Sequence, residues 1–178
     1  MRILVGHASA HGSTTEIAQR IADVLQREGM AVDVLPVGQV PSPDGYDAVV
    51  LGSAIHSQAW LPQATEFVHR HAETLRAQPV WLFSVGMSAA LPGVIRGSAR
   101  AGQDRRLAQA LRDVVRPRGH LLLSGTIRAE DFPRWVSVLF RGIGARFGDY
   151  RDWAGIETWA RGIAGELRTS PQASSAGP

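Results

Sequence analysis

Short apolar runs without a polar face restrict the fold of this 178-residue sequence more than any other feature. Residues 48–53 and 79–84 are the clearest, and neither shows the alternation of a strand with one solvated side. Further strand-like runs lie at 3–5, 30–35 and 120–124. Helix-like segments lie between the strands, among them residues from about 60 to 76 and 103–116. Buried strands that alternate with helices predict an α/β fold, a doubly wound five-stranded parallel sheet with helices on both faces.

The composition predicts one cytoplasmic domain, residues 1–168, followed by a flexible Ser-, Ala- and Pro-rich tail at 169–178. No apolar run approaches the ~20 residues of a membrane span, and the N-terminus lacks a signal-peptide pattern. The sequence contains no cysteine, which excludes thiolate chemistry, so any redox function needs a bound cofactor. His69 and His71 stand two apart on a predicted helix and cannot share a metal, and we expect no metal site.

The loop that follows the first apolar run carries the most specific chemistry. Residues 8–15 read Ala-Ser-Ala-His-Gly-Ser-Thr-Thr, and Ser13 with Glu16 forms a capping-box pair that predicts a helix starting there. A helix start offers unpaired amides and partial positive charge, so it suits a phosphate. The sequence lacks lysine, the Gly-Lys-Ser/Thr loop and the three-glycine dinucleotide fingerprint. The loop is therefore either a lysine-free phosphate site or an ordinary capped helix after a strand.

A doubly wound sheet with strand order 2-1-3-4-5 binds ligands at the carboxyl ends of strands one and three, where the winding reverses. That position brings three loops to one crevice, namely residues 8–15, 53–60 and 84–90. All three are rich in small and polar residues. The fold and the chemistry of the loops thus predict the same binding site.

The pattern Ser9-x-His11-Gly12-x-Thr14 resembles the phosphate loop of the flavodoxin family, with His11 where the family usually has threonine. Residues 46–54, 67–71 and 148–153 are similar to the branch of that family that includes menaquinone-dependent protoporphyrinogen oxidase. That branch also has an insertion before the last helix, as this sequence has at about 128–148. The resemblance implies a flavodoxin-like fold and an FMN cofactor.

The same resemblance implies which residues contact FMN. The first loop would hold the phosphate, the second would cover the isoalloxazine ring through Trp60 or His56, and the third would offer amides to its pyrimidine edge. A role in the core is an equal alternative for Trp60. The implied cofactor-binding residues are Ser9, His11, Gly12, Ser13, Thr14, Thr15, Ser53, Ala54, Ile55, His56, Ser57, Trp60, Ser84, Val85, Gly86, Met87 and Ser88.

By resemblance, the reaction would be oxidation of protoporphyrinogen IX in heme biosynthesis with a quinone as acceptor. No residue is identified as its acid or base. The alternatives are a flavin-dependent quinone reductase, an electron carrier that docks on a redox partner protein, and a flavodoxin-shaped module without flavin. Residues 96–161 carry thirteen arginines against seven acidic residues, so we expect a higher flavin potential than in acidic flavodoxins.

The insertion at 128–148 is basic and amphipathic, with Trp135, Leu139 and Phe147 among its apolar residues. Such a segment can lie peripherally on the inner face of a membrane or cover an anionic, apolar ligand such as a porphyrinogen. A lid that packs on the sheet edge is an equal alternative. We expect no nucleic-acid partner.

Overall fold

The computed structural model describes residues 1–57, 59–86, 111, 113–127 and 148–169. These residues form strands and helices in the alternation that the sequence predicts. The strands are β1 (Arg2–Ala8), β2 (Ala31–Pro36), β3 (Ala48–His56), β4 (Ala59–Trp60), β5 (Val80–Gly86), β6 (Gly119–Ser124), β7 (Thr126–Ile127) and β8 (Gly148–Asp149). The helices are α1 (Ser13–Arg27), α2 (Pro62–Arg70), α3 (Ala72–Ala77) and α4 (Trp153–Thr169), with a 3₁₀ turn at Val37–Gln39.

The main sheet has the strand order β2-β1-β3-β5-β6, and each neighbouring pair along this path is parallel. Numbered by main strands alone this is 2-1-3-4-5, so the predicted order and the flavodoxin-like fold class are confirmed. Val5 of β1 lies beside Val34 of β2 and Val50 of β3. The winding therefore reverses between β1 and β3.

Both faces of the sheet are buried because successive side chains of each strand enter different cores. Ile3 and Val5 belong to the core shared with α1 and α4, whereas Leu4 belongs to the core shared with α2 and α3. Burying each large apolar side chain contributes roughly 1.5–3 kcal/mol. This two-sided burial explains why the strands lack a polar face in the sequence.

The region after β3 differs from the prediction of one helix from about residue 60 to 76. β3 continues to His56, and β4 pairs with its end in an antiparallel hairpin. α2 begins only at Pro62, since proline suits the first turn of a helix, and the backbone leaves the helical region at His71 (φ −110°, ψ 23°) before α3. Tight turns of this kind depend on contacts distant in sequence, so helical periodicity alone did not predict them.

Residues 111 and 113–115 are helical, in agreement with the helix predicted at 103–116. β7 and β8 form a two-stranded antiparallel ribbon at the two ends of the predicted insertion. Most of that insertion and the tail lie outside the described residues. No helix in the described ranges is long and apolar enough to cross a membrane.

Candidate phosphate and cofactor site

The loop between β1 and α1 lies at the carboxyl end of the sheet. His7 pairs with Gly52 and Ala8 with Ser53, so the end of β1 adjoins the end of β3. Gly12 precedes α1 with φ +88°, a left-handed conformation that glycine adopts readily. A Cβ added there would meet no atom within 4 Å, so the backbone of the turn is open to close approach.

The capping-box prediction is wrong, although the helix does start at Ser13. Gly12 occupies the cap, no side chain caps the helix, and Ser13 is the first helical residue. The first intrahelical bond runs from the Glu16 amide to the Gly12 carbonyl, 3.1 Å. The amides of Ser13, Thr14 and Thr15 precede it and have no acceptor within the helix. Three amides at the positive end of the helix dipole therefore remain for an anion.

Side chains of the loop add hydroxyl groups to these amides. The Ser9 Oγ accepts a hydrogen bond from the Gly12 amide at 2.9 Å, which braces the turn and leaves the hydroxyl hydrogen to donate. Thr14 is 0% exposed, and its Oγ1 has no hydrogen-bond partner within the described part of the chain. A buried hydroxyl without a partner costs about 1–3 kcal/mol. A phosphate oxygen would relieve that cost, so the turn fits a phosphate.

His7 and His11 differ in what they bring to the site. His7 is 6% exposed at the end of β1, and its Nδ1 lies 3.4 Å from the Thr15 Oγ1. Burial lowers the pKa of His7 below its ordinary value, so the ring is neutral at pH 7. His11 lies exposed in the turn itself. The turn therefore offers amide dipoles and hydroxyls where a Gly-Lys-Ser/Thr loop would offer the charge of a lysine.

Ser53 belongs to the structure of the second loop. It is fully buried, and its Oγ accepts from the Leu61 amide at 3.0 Å and donates to the Ala54 carbonyl at 2.9 Å. These bonds fix the β3–β4 hairpin against the start of α2. Ala54 and Ile55 are half-buried beyond it.

The tip of the hairpin reaches solvent. His56 and Ser57 are exposed, and Ser57 has φ +49°, which is uncommon outside glycine. Of the two residues that the sequence offered as a ring cover, His56 is therefore accessible in this arrangement.

Trp60 lies in the core, which is one of the two roles the sequence left open. It is 4% exposed, and its Nε1 donates to the Ser84 Oγ at 2.7 Å. The His120 Nε2 lies 2.8 Å from the same oxygen. The indole can only donate, so Ser84 accepts from Trp60, and the direction of its second hydrogen bond is set by the tautomer of His120. Trp60 and Ser84 are buried and His120 is half-buried, and the three join the second loop to β5 and β6 across separations that no sequence pattern signals.

The third loop is described only in part. Val85 and Gly86 are buried at the end of β5, and the Gly86 carbonyl accepts from the Gly125 amide at 3.0 Å. A Cβ on Gly125 would lie 3.1 Å from the Ser13 Oγ, so the end of β6 adjoins the first turn of α1. Met87 and Ser88, also expected in the site, lie outside the described residues.

Sequence reasoning missed Arg151, which links the end of the insertion to the first turn of α1. We call residues 8–15, which lead into that helix, the phosphate turn. Its Nη1 lies 2.5 Å from the Glu16 Oε2, and its Nη2 lies 2.7 Å from the Asp149 Oδ2. Its guanidinium stacks 4.5 Å from the centre of the Trp153 ring. Residues 135 apart carry no local signal of this pairing.

No group of three or more His, Asp or Glu residues in the ranges that the structure describes could hold a metal ion.

Comparison with known proteins agrees with this fold. The flavodoxin domain family matches residues 4–135, so the chain belongs to that family. It is also 27% identical to the protoporphyrinogen IX dehydrogenase (quinone) of Escherichia coli over 178 residues, which cover 92% of this chain and 95% of that protein.

Two solved flavodoxins have the same fold. The flavodoxin of Streptococcus pneumoniae has a TM-score of 0.59 at 17% identity and covers 93% of this chain and 99% of its own. A flavodoxin from the domain Archaea has a TM-score of 0.54 at 17% identity, with 94% and 99% covered.

Proposed function

We propose that this chain binds FMN and acts as a flavin-dependent oxidoreductase of the protoporphyrinogen dehydrogenase type. The observation that carries the proposal is the turn between β1 and α1. The amides of Ser13, Thr14 and Thr15 have no acceptor within the helix, and the buried Thr14 hydroxyl has no partner among the described residues. These groups lie at the edge of the sheet where a doubly wound fold binds its ligand.

The phosphate of FMN would be held by the amides of Ser13, Thr14 and Thr15, with the Ser9 and Thr14 hydroxyls as further donors. None of these groups carries a full charge, so phosphate binding depends on their number and on the helix dipole. Glycine at position 12 keeps the backbone free of a side chain at the point of approach. Family membership supports the same assignment.

The ring would lie between the phosphate turn and the β3–β4 hairpin. Bound FMN would supply hydride and single-electron chemistry. The buried bonds of Ser53 and Ser84 hold the hairpin and β5 in place, so the walls of the crevice need little ordering when a ligand binds. His56 is the accessible side chain at the hairpin that could cover the ring. Its ring edge would also limit the access of water.

Protoporphyrinogen IX with a quinone acceptor is the reaction we propose, with a role in heme biosynthesis. The support is the similarity to the Escherichia coli enzyme, which extends over nearly the full length of both proteins. A porphyrinogen carries anionic propionates, and the arginine excess in residues 96–161 suits such a substrate.

The test begins with the purified protein. Absorbance near 450 nm, or quenching of FMN fluorescence on titration, establishes flavin binding. The loaded protein is then mixed with protoporphyrinogen IX and menaquinone, and porphyrin formation is followed by fluorescence above the rate without protein.

Three outcomes are distinguishable. Flavin binding with porphyrin formation supports the proposal. A flavin that binds but is reduced only through a reductase protein indicates an electron carrier. A protein that binds no FMN is a flavodoxin-shaped module without cofactor, and the proposal is then wrong.

A further inference from the structure

We propose that Arg151 strengthens the preference of the site for a phosphorylated flavin, because its positive charge offsets the carboxylate that Glu16 places in the first turn of α1. The inference rests on the proposed function. It assigns to Arg151 the part of a positioning and charge-shielding residue that never touches the ligand.

Arg151 is held in place from three sides. Its side chain is 9% exposed, and its Nε and Nη2 donate to the two carboxylate oxygens of Asp149 at 2.8 and 2.7 Å. The Nη1 donates to the Glu16 Oε2 at 2.5 Å, and the guanidinium plane stacks on the Trp153 ring. A planar guanidinium suits two carboxylates and an aromatic face at once. Arg151 therefore holds Glu16 in one place.

The charge of Glu16 matters because of its position. It stands three residues after Ser13, about 4.5 Å further along the helix axis, close to the amides that face the phosphate. Its side chain is 53% exposed. An uncompensated carboxylate there would favour the helix but repel a phosphate dianion. Arg151 carries one positive charge against the carboxylates of Glu16 and Asp149, so the group of three has a net charge of −1, and of −2 without the arginine.

The size of the effect follows from Coulomb's law. A carboxylate and a phosphate dianion at a separation of order 10 Å, in a largely aqueous dielectric, repel enough to lower affinity about three- to tenfold at low salt. Riboflavin has the same ring and no phosphate, so its affinity escapes this repulsion. The ratio of the two affinities reports the charge at the turn and not the general integrity of the fold.

The chain offers a matched control in Arg20. This residue lies one helical turn after Glu16 on α1, pairs with Glu157 at 2.9 Å, and stands 5.0 Å from the same Trp153 ring. Its removal takes an arginine from the same aromatic ring and leaves the pair of Arg151 with Glu16 intact. Arg20→Gln thus separates loss of packing from loss of shielding.

The experiment measures Kd for FMN and for riboflavin by fluorescence quenching, at low and at high salt, after thermal melting has shown each variant folded. Arg151→Gln should weaken FMN binding three- to tenfold and riboflavin binding less than twofold, and high salt should shrink the difference. Arg151→Lys and Arg20→Gln should leave the FMN-to-riboflavin ratio near that of the native protein. Adding Glu16→Gln to Arg151→Gln should restore FMN binding.

The rescue is the decisive result. If Arg151 acted only by pinning the helix, the double variant would bind FMN no better than Arg151→Gln, and both flavins would lose affinity together; either finding overturns the inference. Native protein that binds neither flavin overturns the proposed function itself, and the inference with it. Native protein that binds both flavins equally has no preference for the phosphate, and the inference about Arg151 is then wrong although flavin binding stands.

Discussion

The buried hydroxyl of Thr14 gives the sharpest prediction. Because it lacks a partner, it should lower the stability of the protein without flavin, and a bound phosphate should remove that loss. Thr14→Val keeps the shape and replaces the Oγ1 with a methyl group. Thr14 is 0% exposed and its hydroxyl has no partner among the described residues. Removing an unsatisfied buried hydroxyl should gain about 1–3 kcal/mol, to which a buried methyl adds up to ~0.8 kcal/mol.

The expected net effect on the protein without flavin is a stabilisation of about 1–3 kcal/mol, since packing around the new methyl is imperfect. With a urea m-value of about 2 kcal/mol/M, the midpoint of unfolding should rise by roughly 0.5–1.5 M. FMN binding should weaken about tenfold or more, because a hydrogen bond to a charged group contributes roughly 1.5–3 kcal/mol.

Thr14→Ser is the matched control. It retains the hydroxyl and loses the methyl, so it should destabilise the protein by about 1 kcal/mol and leave FMN affinity nearly unchanged. Urea denaturation and flavin titration on the three proteins give both quantities. The reasoning is refuted if Thr14→Val destabilises the free protein by more than 1 kcal/mol and binds FMN as the native protein does.

Three further predictions concern the turn before α1, the hydrogen bond between Trp60 and Ser84, and the dependence of stability on pH. Gly12→Ala and Gly29→Ala are a matched pair, because both glycines have positive φ (88° and 85°) and open space at the Cβ position. Each substitution should lower the free energy of unfolding by about 1–2 kcal/mol, but only Gly12→Ala should also weaken FMN binding. If the two variants bind FMN equally well, this prediction is wrong. Ser84→Ala leaves the Trp60 indole without its acceptor and should cost about 1–3 kcal/mol, whereas Ser84→Ala with Trp60→Phe should cost less than the sum of the single losses. If the two single losses of stability add exactly in the double variant, the hydrogen bond contributes nothing to stability. Because burial lowers the pKa of His7 below its ordinary 6.5, the unfolded chain takes up the proton first, so stability should fall as pH drops below about 6.5. His7→Gln should flatten that fall between pH 7 and 5, and an unchanged slope would count against it.

The sheet could be predicted from sequence because its signal is local and repeated. Runs such as residues 48–53 are apolar on both faces, and only a sheet covered on both sides buries them. Given that fold, the winding rule locates the crevice without any knowledge of side-chain contacts. The turn between β1 and α1 could be singled out as a candidate phosphate site for the same reason, since its residues are consecutive.

The details that escaped prediction depend on contacts across long separations. Gly12 in its left-handed conformation, and not Ser13, occupies the cap of α1, and Glu16 bonds to Arg151. Ser84 is as small and polar as a ligand-binding serine, yet its oxygen accepts from the Trp60 indole. Such pairings are fixed by tertiary packing, and a linear pattern does not report them.

The most direct test of the phosphate turn is an amide NMR titration of the isotope-labelled protein with FMN and, separately, with riboflavin. Amides that bond a phosphate shift strongly, and those without an acceptor in the free protein shift most. We expect the largest FMN-induced shifts at Ser13, Thr14 and Thr15, with the riboflavin shifts confined to the hairpin and the end of β5. If FMN leaves these three amides unmoved while its largest shifts fall elsewhere, the phosphate is not held at this turn and the account is wrong.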